Sequence, residues 1–148
     1  YVRVSRALEV FFQTGKRISD VQPNRTEPPE FAERIKIFAL NPLREILYQK
    51  INERAQIHFE RGLIEEVKQL LADGVKENTN ALGAHGYRRV CEFLRGERTL
   101  ESAIEKTQQD VRNYAKRQIT WFKREEGVIW IEGFGNESET QKELFSSI

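Results

Sequence analysis

Apolar residues along this chain keep to helical spacing over most of its length, and short unbroken apolar runs interrupt it twice. Val4, Leu8 and Phe11 fall three and four apart, which predicts a helix that Gly15 ends. From Ile18 to Glu33 the chain is polar and carries Pro23, Pro28 and Pro29, which predicts a loop or linker over 18–34. IKIFALN, Ile35 to Asn41, is short and apolar with β-branched residues at its start, and predicts a buried strand. Asn41-Pro42 then offers an N-cap and a first-turn proline to a helix with Leu43, Ile46, Leu47, Ile51, Ala55 and Phe59 on one face.

After Gly62, a second stripe of Leu63, Ile64, Val67, Leu70 and Leu71 runs to Gly74. The polar, glycine-punctuated stretch 75–86 predicts a loop. Tyr87, Val90, Cys91 and Leu94 mark a short helix that ends at Gly96. Thr99 caps the next helix, whose inward set is Leu100, Ala103, Ile104, Thr107, Val111, Ala115, Ile119 and Phe122. GVIWIEG, Gly127 to Gly133, predicts a second strand, and the tail over 134–148 is expected to fray.

The fold class expected is therefore α/β and mostly helical, with two strands and about five helices. Strands separated by helices rather than by a hairpin point to a parallel sheet. Two such strands make a poor sheet by themselves. The chain also opens on helix-like residues and contains no methionine, so the expectation is a piece of a longer protein.

Composition adds limits more than direction. At 148 residues the chain has the length of one domain, and 39% hydrophobic against 32% charged residues is ordinary for a helix-rich protein. No apolar run approaches the ~18 residues of a membrane span. The single Cys91 cannot form an internal disulfide, which suits a cytoplasmic protein, and Cys91, His58 and His85 make no zinc spacing. Both histidines read as structural. A net charge of +1 is neutral on nucleic-acid binding, where a local patch counts rather than the sum.

One patch does stand out. RNYAKRQITWFKR, Arg112 to Arg124, holds five cations and three aromatics in thirteen residues. At about 100° per residue, Tyr114, Arg117, Trp121 and Arg124 edge one side of the apolar stripe and Arg112, Lys116 and Lys123 the other. Such an edge is a solvated helix face, or it is a surface where cations neutralise phosphates and flat side chains stack on unpaired bases. Spacing leaves both open.

Four stretches, in the family's order along the chain, carry a resemblance: RALEVF at Arg6 to Phe11 with the TGK of Thr14 to Lys16, HGYR at His85 to Arg88, AKRQITWF at Ala115 to Phe122, and, between the first and the second of these, NPLREILYQKINERAQIHFERGLIEEVKQLL. The last has the rhythm Arg-x-x-Leu-Tyr, Arg, then Gly-Leu-x-x-Glu-Val. Over residues 1–133 the chain resembles the bacterial tRNA dimethylallyltransferases, also called tRNA isopentenyltransferases. The resemblance implies a P-loop α/β transferase with a helical insertion. Its reaction moves a dimethylallyl group from dimethylallyl diphosphate to N6 of adenine 37, beside the tRNA anticodon, with Mg2+ assisting the diphosphate.

Carried onto this chain, the resemblance implies that Arg3, Ser5 and Arg6 contact the tRNA anticodon stem-loop near the flipped base, and that Gly86, Tyr87 and Arg88 do the same. It places Lys116, Arg117, Gln118, Thr120, Trp121 and Lys123 on the stem-loop surface and Arg54 on the donor diphosphate. It implies a cytoplasmic monomer. Each has a structural alternative: Arg3 and Arg6 could pair with Glu9, Gly86 could serve a turn, Arg54 could bridge Glu53 or Glu60, and Tyr87 and Trp121 could belong to the core.

The sequence departs from the family at His58, where methionine is common, at His85, where an apolar residue is common, and at Gly83, more usually glutamine. The larger departure is the lack of a Walker-type G-x-x-x-x-G-K-[ST] loop and of the Asp-Ser segment that supplies the base. Gly15-Lys16 has no glycine five residues upstream and sits at a helix end. The expectation is a C-terminal half with no catalytic residue and no metal ligand of its own, inactive alone. Other readings are an adenylate isopentenyltransferase, which needs no tRNA surface, a non-catalytic helical RNA-binding module, and a protein-interaction scaffold.

Overall fold

In a computed structural model, residues 2–21 and 30–147 are described. The chain divides into two compact units, 1–35 and 36–148. In the first, α1 spans Val2–Thr14 and α2 Ile18–Val21, followed by a 3-10 turn at Glu30–Arg34. Gly15 ends α1 as expected, its N–H donating to the Phe11 carbonyl at 2.8 Å. The stripe of α1 buries none of its residues, and Val4, Leu8 and Phe11 are all exposed. Of the stretch expected as a loop, 18–21 and 30–34 are helical turns, whereas Pro23, Pro28 and Pro29 lie outside the described residues.

The second unit holds β1 (Ile37–Leu40), α3 (Arg44–Glu60), α4 (Leu63–Ala72), α5 (Tyr87–Leu94), α6 (Leu100–Phe122), β2 (Val128–Ile131) and α7 (Ser138–Ser146). β1 and β2 pair in parallel, Ile37 opposite Val128 and Leu40 opposite Ile131, with all of α3 to α6 as the crossover that a parallel pair requires. The strands are less buried than their apolar runs predict. Only Ala39 and Ile131 are fully buried, and Ile37, Leu40 and Ile129 are exposed, because each strand has one partner and one free edge.

The core lies among the helices. Phe59, Leu63, Val67, Val90, Cys91 and Ala103 form one buried cluster, with Ile64, Leu71, Tyr87, Phe93, Leu94, Leu100 and Ile104 packed against it. These come from the end of α3, all of α4 and α5, and the start of α6. The stripes of α3 and α6 are longer than this core. Leu43 and Ile46 at the start of α3 are exposed, and Ala115, Ile119 and Phe122 at the end of α6 are half-buried. Those two helix ends flank the sheet, around an apolar hollow of about 330 Å³ lined by Phe38, Leu40, Leu47, Phe122, Trp130 and Phe134 among others.

Two local expectations change. Asn41 does not cap α3: the cap position is Leu43, and no side chain accepts from the first turn. Extended backbone at Leu43 and the hydrogen bond from the Asn41 N–H to Ile131 O, 2.9 Å, keep Asn41 in the strand ladder instead. The tail expected to fray contains α7, whose buried Thr140 donates to Glu132 O at 3.1 Å and so ties the helix back to β2. Thr99 caps α6 as expected, accepting from the Ser102 N–H at 3.2 Å.

Candidate nucleic-acid interface

The cation-rich stretch occupies the part of α6 that has left the helical core. That is why its two edges stay accessible: Lys116, Arg117, Gln118, Thr120, Trp121 and Lys123 are all exposed. Trp121 is 56% exposed, with its ring edge-on to Phe122 at 4.9 Å, so it is not a core tryptophan. Thr120 uses its hydroxyl internally, donating to Lys116 O at 2.9 Å.

The two edges meet different neighbours. On one side α6 faces α3: Gln108 donates to Asn52 O at 3.2 Å, and Arg112 donates to Asn52 Oδ1. Four residues on, Lys116 continues this ridge and enters a cleft of about 400 Å³ between the start of α3 and the end of α6, where Arg44, Tyr48, Thr120 and Lys123 also stand. On the other side α6 faces the loop before α5. There the Tyr114 ring lies 5.4 Å from the His85 ring and 5.8 Å from the Arg117 guanidinium. His85 therefore packs against the cationic helix, and its place in the loop has a structural reason.

Gly86 is buried where the loop turns into α5, at φ +91°, and a Cβ there would lie 3.3 Å from Leu63 Cδ2 and 3.7 Å from Thr107 Cγ2. Only glycine meets both the left-handed backbone and the close approach of α4 and α6. It starts α5 so that Tyr87 is half-buried and Arg88 exposed. The Tyr87 hydroxyl donates to Glu66 Oε1 at 2.5 Å, and this hydrogen bond, with burial, raises its pKa above the ordinary phenol value. The Gly-Leu-x-x-Glu-Val rhythm contains Glu66, but nothing in that rhythm points to its partner 21 residues on. Arg44 and Tyr48 were likewise present in the Arg-x-x-Leu-Tyr rhythm without a role.

Beneath Arg88 lies a buried ion network. Arg89 donates to Glu92 at 2.6 and 2.8 Å and to Asp110 of α6 at 2.7 Å, Arg98 donates to Glu92, and Arg88 reaches Glu92 at 3.3 Å. Burial pushes the Glu92 carboxyl up, but the hydrogen bonds and charges of Arg89 and Arg98 outweigh it and hold it at about 2. This network sets α5 against α6 and so places Arg88 relative to the cationic edge.

Arg54 is not gathered with these residues. Arg54 is exposed on α3, two residues past Asn52 and so about 200° around the helix from the side that meets α6. It pairs with neither Glu53 nor Glu60; Glu53 instead accepts from Gln49 and Glu60 from Gln56. Arg3, Ser5 and Arg6 lie on α1, in the first unit. Arg6 pairs with Glu9 at 3.1 Å, the structural alternative set beside it above. Among the described residues no three His, Cys, Asp or Glu side chains stand close enough to hold a metal ion. Nor is any helix among them long and apolar enough to cross a membrane.

A short parallel sheet with a helical crossover, bearing an exposed edge of cations and a tryptophan, defines the chain as an α/β protein with a candidate RNA-binding face. Residues 1–125 match the family model described as IPP transferase, and the chain belongs to that family. It is 41% identical over 131 residues to a tRNA dimethylallyltransferase of Geobacter sulfurreducens and 48% identical over 123 residues to that of Wolbachia pipientis. These cover 88% and 83% of this chain but 42% and 41% of those proteins. The chain thus spans about two fifths of the length of the curated relatives it matches.

Among solved structures it is similar to a full-length tRNA isopentenylpyrophosphate transferase of Bacillus halodurans, with a TM-score of 0.71 and 31% identity. That match covers 99% of this chain and 43% of the other. A Staphylococcus epidermidis tRNA delta(2)-isopentenylpyrophosphate transferase matches with a TM-score of 0.69, over 98% of this chain and 47% of the other. The family expected from the sequence is the family found.

Proposed function

We propose that this chain is the tRNA-gripping part of a tRNA dimethylallyltransferase. The observation that carries the reading is the exposed cationic edge of α6 with Trp121 standing out of it, in a chain of the IPP transferase family. In the reaction, N6 of adenine 37 forms a bond to the allylic carbon of dimethylallyl diphosphate. The carbon–oxygen bond breaks, its electron pair leaves with diphosphate, and N6 gives up a proton to a base. The base, the diphosphate loop and the ligands of Mg2+ belong to residues outside this chain, and the chain alone is inactive.

Within that scheme the chain's own residues bind and orient. Lys116, Arg117 and Lys123 neutralise phosphates of the anticodon stem-loop, Gln118 and Thr120 line the same surface, and Trp121 stacks on a base the loop leaves unpaired. Gly86, Tyr87 and Arg88 approach the extruded adenine from the start of α5, because an adenine out of its stack needs its backbone held. Arg3, Ser5 and Arg6 of α1 are RNA contacts of the first unit. Arg54, exposed and without a carboxylate partner among the described residues, takes charge that collects on the leaving diphosphate. The protein acts as a monomer in the cytoplasm. A free-nucleotide acceptor would need no stem-loop surface, so tRNA is the better acceptor.

The test is transfer of labelled dimethylallyl from its diphosphate to an anticodon stem-loop carrying A37 or G37. The protein is expressed from its complete reading frame, with the 148-residue chain run beside it. Labelling of A37 alone, by the complete protein alone, is the expected result. A complete protein that binds the stem-loop but labels nothing would make this a non-catalytic RNA-binding module.

A further inference from the structure

The cleft between the start of α3 and the end of α6 contains side chains that the functional reading does not use. It is lined by Arg44, Leu47 and Tyr48 from α3, by Lys116, Thr120 and Lys123 from α6, and by one carboxylate, Glu132. Three cations against one acid is a local excess in a chain whose total is +1. Among the described residues none of Arg44, Lys116 and Lys123 pairs with a carboxylate. Elsewhere in the unit, Arg88, Arg89, Arg95 and Arg98 all do. Like charges held around one hollow repel, and an anion entering it relieves the repulsion.

The geometry narrows the anion. Lys116 and Lys123 are seven residues apart on α6, hence within about 20° of each other and two turns apart along the axis, roughly 10 Å. A compact single anion cannot meet both from one position, whereas successive phosphates along a strand can. The Arg44 guanidinium lies over the Tyr48 ring, 5.1 Å from its centroid, a contact that restrains this exposed side chain while it keeps its planar fork of N–H donors. A planar fork presented in this way suits a phosphate oxygen pair. At about 400 Å³ the cleft has the size of a small-molecule site rather than of a protein interface, enough for a stretch of sugar–phosphate backbone.

We propose that Arg44 and Tyr48 form, with Lys116 and Lys123, a cleft that holds the sugar–phosphate backbone of the RNA substrate, so that the strand passes from the exposed edge of α6 onto α3. This rests on the tRNA-binding reading above and extends it to a second helix. Arg44 is the contact, and Tyr48 is the positioning residue that holds its guanidinium. Glu132, at the β2 end of the cleft, bounds the track by repelling a phosphate there.

The experiment measures binding of an anticodon stem-loop by the protein from its complete reading frame as a function of KCl. Wild type is compared with Arg44→Gln, Lys123→Gln and, as a control away from the cleft, Lys142→Gln, each first shown to melt like wild type. Arg44→Gln is expected to weaken binding roughly tenfold near physiological salt, the loss of a charge-assisted hydrogen bond. It is also expected to lower the slope of log Kd against log salt by about one, with Lys142→Gln unchanged. A change in packing alone would not move the slope.

If wild type binds the stem-loop and Arg44→Gln binds with the same Kd and slope, the cleft is not on the RNA path, although the tRNA reading stands. If wild type does not bind the stem-loop, the tRNA reading fails and takes this inference with it. If inorganic diphosphate binds wild type but not Arg44→Gln, and RNA affinity is unchanged, the cleft serves the donor and the inference is overturned.

Discussion

Arg89 of α5 reaches across to Asp110 of α6 with two of its nitrogens, Nε at 2.7 Å and Nη2 at 2.6 Å from the same carboxylate oxygen. The same guanidinium holds Glu92 on its own helix, so one buried cation joins two helices and two acids. The short helix that begins at Gly86 is thereby fixed against the long one that carries the cationic edge. Buried charges of this kind contribute little net stability when complete, and cost much when one member is removed.

Glu92→Gln is therefore expected to destabilise the chain by about 3 kcal/mol, because Arg89 and Arg98 would remain with one carboxylate too few. Arg95→Gln, an exposed residue whose partners Glu77 and Glu97 are also exposed, is expected to leave the unfolding midpoint essentially where it is in wild type. Urea unfolding of both variants checks the contrast. Equal losses would mean that the buried network is not what holds α5.

The same carboxylate makes stability depend on acid. Its pKa is about 2 in the folded chain against an ordinary 4.5, so its contribution is complete above 4.5 and is lost as pH falls from there towards 2. Melting temperature should fall more steeply over that window for wild type than for Glu92→Gln. Parallel curves would show that Glu92 is not held down by its arginines.

Gly86→Ala is expected to cost about 1–2 kcal/mol from the left-handed backbone, with a further penalty from the Leu63 contact at 3.3 Å. Its effect on RNA binding should exceed that of an equally destabilising core change such as Val90→Ala, because Tyr87 and Arg88 follow it directly. Comparing the two variants at matched folded fractions separates the loss of stability from the loss of position.

Trp121→Ala removes an exposed ring and should leave stability within about 1 kcal/mol of wild type. Stem-loop affinity should fall by about 1–3 kcal/mol, the range for a base stacked on an aromatic side chain. Fluorescence of Trp121 on titration with the stem-loop gives an independent reading. Unchanged affinity would remove Trp121 from the interface.

Arg54→Ala should melt like wild type, since Arg54 is exposed and has no ion pair among the described residues. In the complete protein it should lower turnover by about a hundredfold or more, as the loss of one charge-stabilising donor does, while stem-loop affinity holds. A variant with normal turnover would return Arg54 to the solvated face of α3.

The sequence by itself determined the order of the main elements, α1, β1, α3 to α6 and β2, the Thr99 cap and the Gly15 stop, the parallel pairing and the family, but not α7 or the start of α3. Thr99 and Gly15 act where their side chain or backbone predicts, because a cap or a stop is decided within four or five residues. The family was legible because four motifs in order are a one-dimensional signal. How far each apolar stripe is buried was not legible. Leu43 and Val67 look alike in a helical pattern, yet one is 65% exposed and the other fully buried, because the core ends where α3 and α6 run past α4 and α5.

Tertiary structure also decided what each cation faces. Periodicity put Lys116 and Trp121 on opposite edges of one helix, but only the packing of α3 against α6 through Asn52 and Arg112 turned the first edge into a cleft with Arg44 and Tyr48. Nor does any spacing tell that Glu66, 21 residues before Tyr87, receives its hydroxyl. Contacts of that separation depend on where two helices come to rest, and helices are placed by the whole core rather than by the residues in contact.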